Sequence, residues 1–193
     1  MDAQHRRGWL VAIRPPTLTV GAAPVVVGSA VAAHLGAFAW LPATLALVGA
    51  LLLQIASNIA NDVYDHRKGA DTEDRLGPPR AAASGLLSER ELMAGLALVL
   101  ASALTVGLWL TALAGWPILA IGLAGMVSAV AYTAGPYPLG YHGLGDVFVF
   151  GFFGLAAVAG TTFAQTGGWE PLAFCLGAAL GAFGAGVLTV NNL

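Results

Sequence analysis

Charge is what this sequence has least of. Asp, Glu, Lys and Arg together make up 9% of its 193 residues, against roughly 25% in a soluble domain. Such a chain cannot cover a folded body with a water-facing surface. Cysteine is almost missing as well. The lone Cys175 lies inside an apolar run, which excludes a disulfide framework and a cysteine-based metal site. No nucleic-acid partner is expected of a chain with a formal net charge of -2.

Apolar residues are plentiful: 58% of the chain, with a mean hydropathy of +0.78. A membrane span needs about 20 mostly apolar residues, and lipid cannot satisfy backbone polar groups, so spans are helices or closed barrels. The apolar runs are continuous, rich in Ala, Leu and Gly, and do not alternate, which predicts helices. Six spans are expected: Thr17–Leu35, Pro42–Asp65, Leu92–Ala114, Trp116–Ala134, Leu144–Ala164 and Pro171–Val190. The fold class is therefore all-α, a polytopic transmembrane bundle. The first 16 residues do not read as a signal peptide. Arg6 and Arg7 precede only the short apolar piece Trp9–Ile13, which Arg14 and two prolines interrupt. That piece is expected to be interfacial and to lead into the first span.

The eight basic residues fall in two places: Arg6, Arg7 and Arg14 before the first span, and Arg67, Lys68, Arg75, Arg80 and Arg90 between the second and third. With six spans, both segments share one side of the membrane, and the opposite loops carry no Lys or Arg. The positive-inside rule then puts the N-terminus and the long loop in the cytoplasm. The loop between spans four and five joins them.

Most of the ten acidic residues lie in the stretch from Asp62 to Glu91. Asn58, Asn61, Asp62 and Asp65 are spaced i, i+3, i+4, i+7 and share one helical face. Two amides and two carboxylates at a membrane helix end are costly to bury without water, a cation or partner groups. A lone Asp there would simply mark the helix leaving the membrane; the full stripe points further. Oxygen ligands suit a hard cation, and Mg2+ commonly takes one or two carboxylates plus substrate phosphates. His66 has no partner at a ligand spacing, so zinc is not expected.

In the following loop, Lys68, Arg75 and Arg80 alternate with Asp71, Glu73 and Asp74, and Gly69, Gly77, Pro78, Pro79 and Gly85 break regular structure. Two readings stay open. The loop is an ordinary hydrophilic connection that sets topology, or its cations grip a diphosphate. Ser88-Glu89-Arg90-Glu91 fits a capping box opening the third span. The second loop on this side, from Ala131 to Asp146, is rich in Gly, Pro and aromatic residues. Asp146 favours the N-terminus of the fifth span or takes part in chemistry. Tyr132, Tyr137, Tyr141 and His142 line a pocket or belong to an interfacial belt. Gly177, Gly181 and Gly184 predict close helix packing. The sixth span ends in Asn191 and Asn192, level with the Asn58–Asp65 stripe.

These residues carry a resemblance. Asn58-x-x-Asn61-Asp62-x-x-Asp65, Lys68-Gly69-x-Asp71, Asp74-Arg75-x-Gly77-Pro78-x-Arg80 and Gly85 resemble the first signature region of UbiA-type intramembrane prenyltransferases. Within that family the likeness is to the branch acting on 1,4-dihydroxy-2-naphthoate in menaquinone synthesis. Trp9 through Arg14-Pro15, Tyr141-x-Gly143-Leu144-Gly145-Asp146, Phe152-Phe153-Gly154 and Asn191-Asn192-Leu193 extend it over nearly the whole length.

The resemblance implies one membrane domain over residues 1–193, with residues 66–91 forming a cytoplasmic loop over the active site. It implies a Mg2+-dependent enzyme of the cytoplasmic membrane. A polyprenyl diphosphate loses its diphosphate, and the aromatic acceptor attacks the resulting allylic cation and loses its carboxyl group, giving a demethylmenaquinone. Asn61, Asp62 and Asp65 would serve the metal and catalysis, with Asn58 in support. Lys68, Arg75 and Arg80 would neutralise the diphosphate, and Tyr141, Asn191 and Asn192 would complete the substrate site.

The family pattern also has nine spans and a second acidic motif, Arg-Asp-x-x-x-Asp after Asn-Asn-Leu, absent from this sequence. The chain is therefore expected to be the N-terminal portion of such a protein and to be inactive alone. The alternatives are another aromatic acceptor, such as 4-hydroxybenzoate, and a small membrane cation transporter using the acidic stripe. A non-catalytic scaffold would have no use for that stripe.

Overall fold

The computed structural model describes residues 2–69, 80–134 and 145–191, and among them every regular element is helical. Helix α1 covers Ala3–Ile13, and Asp2 caps it by accepting from the Gln4 N–H at 3.0 Å. The segment expected to be interfacial is thus a full short helix. It ends at Arg14, which takes a left-handed φ of 53°. Pro15 bars Arg14 from the right-handed helical region, and Pro15–Thr17 then forms a 3-10 turn into α2, Leu18–His34. The remaining helices are α3, Trp40–Arg67; α4, Glu89–Ala114; α5, Trp116–Ala131; α6, Gly145–Thr166; and α7, Pro171–Asn191.

Five helical stretches are long and apolar enough to cross a membrane, and α5 is a shorter apolar sixth. The six expected spans therefore correspond to helices, with two differences in extent. Helix α3 runs 28 residues, about 42 Å at 1.5 Å per residue, so it projects its polar end beyond the apolar layer. Helix α5 has 16 residues and stops at Ala131, short of the expected Ala134. The predicted capping box of α4 is present: the Ser88 hydroxyl accepts from the Glu91 N–H, and the Glu91 side chain accepts from the Ser88 N–H.

Packing fixes α1 to the polar end of the bundle. The Trp9 ring lies on Gly95 of α4, where an added Cβ would stand 2.4 Å from Trp9 Cη2. Trp9 borders a core of Ala56, Ile59, Val63, Leu87 and Leu92. At the other end Trp40, Trp116 and Trp169 are exposed, as an interfacial aromatic belt would be. Val26, Leu98, Val127 and Phe183 are also exposed along the helix flanks, where lipid accepts them.

Helix α6 contains a π-helical segment, Val149–Ala156, at its crossing with α7. The backbones nearly touch there. A Cβ on Gly154 would lie 2.5 Å from the Gly177 carbonyl oxygen, and one on Gly181 would lie 2.8 Å from the Phe150 carbonyl. This is the close approach the glycine spacing predicts.

Candidate functional site

The polar end of α3 meets three other pieces of chain: residues 80–87, the end of α5, and the α1–α2 junction. Asp62 is fully buried. Its Oδ2 accepts from the Ala81 N–H and its Oδ1 from the Ala82 N–H, each at 3.0 Å. Asp65 is also buried, and Arg80 Nη2 donates to its Oδ2 at 2.5 Å. Asn61 is partly buried, and its Oδ1 accepts from the Thr133 hydroxyl at 3.0 Å. Lys68 Nζ donates to the Thr133 carbonyl at 2.5 Å. One residue after α5 therefore orients both an amide and an ammonium of α3.

Asn58 points elsewhere. Its Nδ2 donates to the Ile13 carbonyl and to Thr17 Oγ1, both at 2.8 Å, and its Oδ1 accepts from Gln54 Nε2 at 3.3 Å. It ties α3 to the α1–α2 junction. Arg67 pairs with Glu89 at the exposed start of α4 and lies over the Tyr64 ring, 5.3 Å from its centroid.

Asp146, in the first turn of α6, accepts from the Thr189 hydroxyl of α7 at 3.3 Å. Tyr132 connects this side to α3. Burial pushes its phenol above the usual tyrosine range, and the negative charges of Asp146 and Asp65 push it the same way. Thus α3, α5, α6 and α7 each bring a polar residue to one end of the bundle. An apolar cavity of about 150 Å³ opens between α3, α4, α5 and α6, with Leu53, Val106, Leu110 and Ile118 in its wall and, among the described residues, Thr161 as the one polar side chain.

Of the residues singled out from the sequence, the structure gathers Asn61, Asp62, Asp65, Lys68 and Arg80 at this end and turns Asn58 toward α1. Arg75, Tyr141 and Asn192, and the side chain of Asn191, lie outside the described residues. Thr133 was not foreseen. Its only sequence signal is its place at the end of the expected fourth span, on the side of the charged loop.

The donor set fits a hard divalent cation in part. Among the described residues, no three His, Cys, Asp or Glu side chains cluster to hold a metal ion. Asp65 and Asn61 offer oxygens close to Lys68 and Arg80, which suits a cation shared with phosphate oxygens. Asp62 fits less well, because it is fully buried and its two oxygens face the Ala81 and Ala82 backbone amides.

Residues 22–193 match a family model described as the UbiA prenyltransferase family. The chain is 37% identical over 193 residues to a 1,4-dihydroxy-2-naphthoate octaprenyltransferase of Haemophilus influenzae, covering 96% of this chain and 63% of that protein. The corresponding figures for the protein of that name in Escherichia coli are 38% over 193 residues, 97% and 63%. For the one in Mycobacterium tuberculosis they are 39% over 185 residues, 96% and 63%. The chain thus spans 63% of the length of these relatives. No solved structure matches it.

Proposed function

The chain belongs to the UbiA prenyltransferase family, and from that premise we propose that it serves the transfer of a polyprenyl group from polyprenyl diphosphate to 1,4-dihydroxy-2-naphthoate, with loss of the carboxylate, to give a demethylmenaquinone. The observation that carries this reading is the charged end of α3. Lys68 and Arg80 are held beside Asn61 and Asp65 at the boundary of an apolar bundle. That combination suits a lipid whose head is a diphosphate. The two cations would bind and orient the head group. A bound Mg2+, held by Asp65 and Asn61, would supply charge neutralisation for the departing diphosphate. The apolar walls would exclude water from the reacting carbon. The names of the relatives support the naphthoate acceptor over 4-hydroxybenzoate. A cation-transport reading gains nothing from the apolar cavity, whose wall has one polar side chain among the described residues.

By the same reading the protein sits in the cytoplasmic membrane as one domain, with its N-terminus and residues 66–91 on the cytoplasmic face. Lys68, Arg75 and Arg80 neutralise the diphosphate, and Tyr141, Asn191 and Asn192 lie at the substrate.

The test is a transfer assay in lipid nanodiscs with Mg2+, octaprenyl diphosphate and carboxyl-labelled 1,4-dihydroxy-2-naphthoate, run beside the Escherichia coli relative. Release of labelled carbon dioxide with a prenylated quinol product is expected when the chain is extended by the remaining length of the Escherichia coli relative, and none from residues 1–193 alone. Product from 4-hydroxybenzoate alone would overturn the acceptor. No product from the extended protein beside an active control would overturn the activity.

A further inference from the structure

We propose that Asp62 is a positioning residue, the cap of the single helical turn that begins at Arg80, and that it does not ligate magnesium. The inference uses the diphosphate reading only for the direction of its kinetic effect.

The turn after Arg80 is closed at both ends. At its start the Ser84 N–H donates to the Arg80 carbonyl at 2.9 Å, as in a first helical turn, so the Ala81 and Ala82 N–H groups would lack intrahelical acceptors. Asp62 accepts from both. It does the work of an N-cap side chain, but from another helix, 19 and 20 residues away in sequence. At its end Gly85 takes a φ of 64°. The Leu86 N–H reaches back to the Ala81 carbonyl and the Gly85 N–H to the Ala82 carbonyl, both at 3.0 Å, the paired bonds of a Schellman ending.

Arg80 directly precedes the two capped amides, and its guanidinium meets Asp65, three residues along α3 from Asp62. A closed circuit results: Asp62 fixes the turn, the turn fixes Arg80, and Arg80 meets Asp65. Asp62 and Ala81 have no exposed surface at all, whereas Asn61, one residue away, is partly exposed. A cation ligated by Asp62 would have to enter a walled-in site and compete for its oxygens with the buried Ala81 amide and the part-buried Ala82 amide, and a buried amide left unpaired is costly.

Amide hydrogen exchange of the protein in nanodiscs, with and without Mn2+ and inorganic diphosphate, tests this. Exchange at Ala81 and Ala82 is expected to stay constant or slow when the pair binds. Acceleration by tenfold or more would mean that Asp62 leaves the amides for the metal, and would overturn the proposal. Asp62→Ala is expected to speed exchange at these amides at least tenfold, with Asp62→Asn, which keeps one acceptor, in between. Unchanged exchange in both variants would overturn the cap.

Mn2+ binding in the presence of diphosphate, followed by electron paramagnetic resonance, should stay within twofold of the parent in Asp62→Asn and weaken at least tenfold in Asp65→Asn. Equal weakening in both would make Asp62 a ligand. In turnover, Asp62→Asn should raise KM for prenyl diphosphate severalfold and leave KM for the aromatic acceptor unchanged. If the parent binds no Mn2+ with diphosphate, the transferase reading fails, and the exchange rates of the variants still decide the cap.

Discussion

Replacing Asn58 by Leu, similar in size and without polar atoms, isolates its hydrogen bonds. Asn58 is 4% exposed and makes two short bonds, to the Ile13 carbonyl and to Thr17 Oγ1, and one long bond with Gln54. The Ile13 carbonyl is among the last of α1 and has no acceptor role inside its own helix. The Thr17 hydroxyl already donates to the Arg14 carbonyl at 2.9 Å, so it needs an outside donor. Each good bond is worth about 1 kcal/mol net, and a stranded buried partner adds about 1–3 kcal/mol. Asn58→Leu should therefore weaken docking of α1 and its junction by about 3–5 kcal/mol. At about 1.4 kcal/mol per factor of ten, that is roughly 100- to 4000-fold in the opening equilibrium. Trypsin cleavage at Arg6 and Arg7 in detergent, and amide exchange over α1, would read it directly. The reasoning would be refuted if protection of α1 were unchanged while KM for prenyl diphosphate rose tenfold, for Asn58 would then be a substrate group.

Thr133→Val removes the hydroxyl donated to Asn61 but keeps the carbonyl that holds Lys68. KM for prenyl diphosphate should rise about fivefold, corresponding to about 1 kcal/mol for one hydrogen bond, and Thr133→Ser should restore it. Gly95→Val drives a side chain into the Trp9 ring. At about 1–3 kcal/mol for overpacking, it should free α1 to trypsin without changing helix content by circular dichroism. Arg80→Met leaves Asp65 buried without this guanidinium and should cost about 3–5 kcal/mol, whereas the Arg80→Met, Asp65→Leu double variant should recover most of the thermal stability while showing no prenyl transfer. Restored turnover in the double variant would separate the pair from the chemistry.

The bundle was legible because each span is a long apolar run, and period and length settle helix existence without tertiary knowledge. The π-helical segment of α6 was not legible. It coincides with the close contacts of Gly154 and Phe150 with Gly177 and Gly181, and backbone contacts between distant residues leave no local pattern. Arg80 was legible as a cation of the loop but not as a buried one, since its partner Asp65 lies on another element. Thr133 was invisible because a Thr that works through its carbonyl and a single hydroxyl has no charge or spacing to betray it.

The four-residue stripe shows how far spacing reaches. At about 100° per residue, Asn58 and Asp62 lie about 40° apart, as do Asn61 and Asp65, and the two pairs are offset by about 60°. Sequence spacing alone merges them into one face. The folded chain does not, because two different neighbours abut that face. The Asn58–Asp62 edge meets the α1–α2 junction and the amides of Ala81 and Ala82, and is spent on holding them. The Asn61–Asp65 edge meets Thr133 and Arg80, with Lys68 one turn beyond. A buried ion pair is poor evidence for stability, since apolar residues of similar volume often do as well. Asp65 and Arg80 therefore gain little as structural glue at a place where the neighbouring edge already anchors the loop through neutral amides. Retaining both charges makes sense if they meet a third charge. The same helix end then both builds the loop, through Asp62, and places charge beside it, through Asp65 and Arg80.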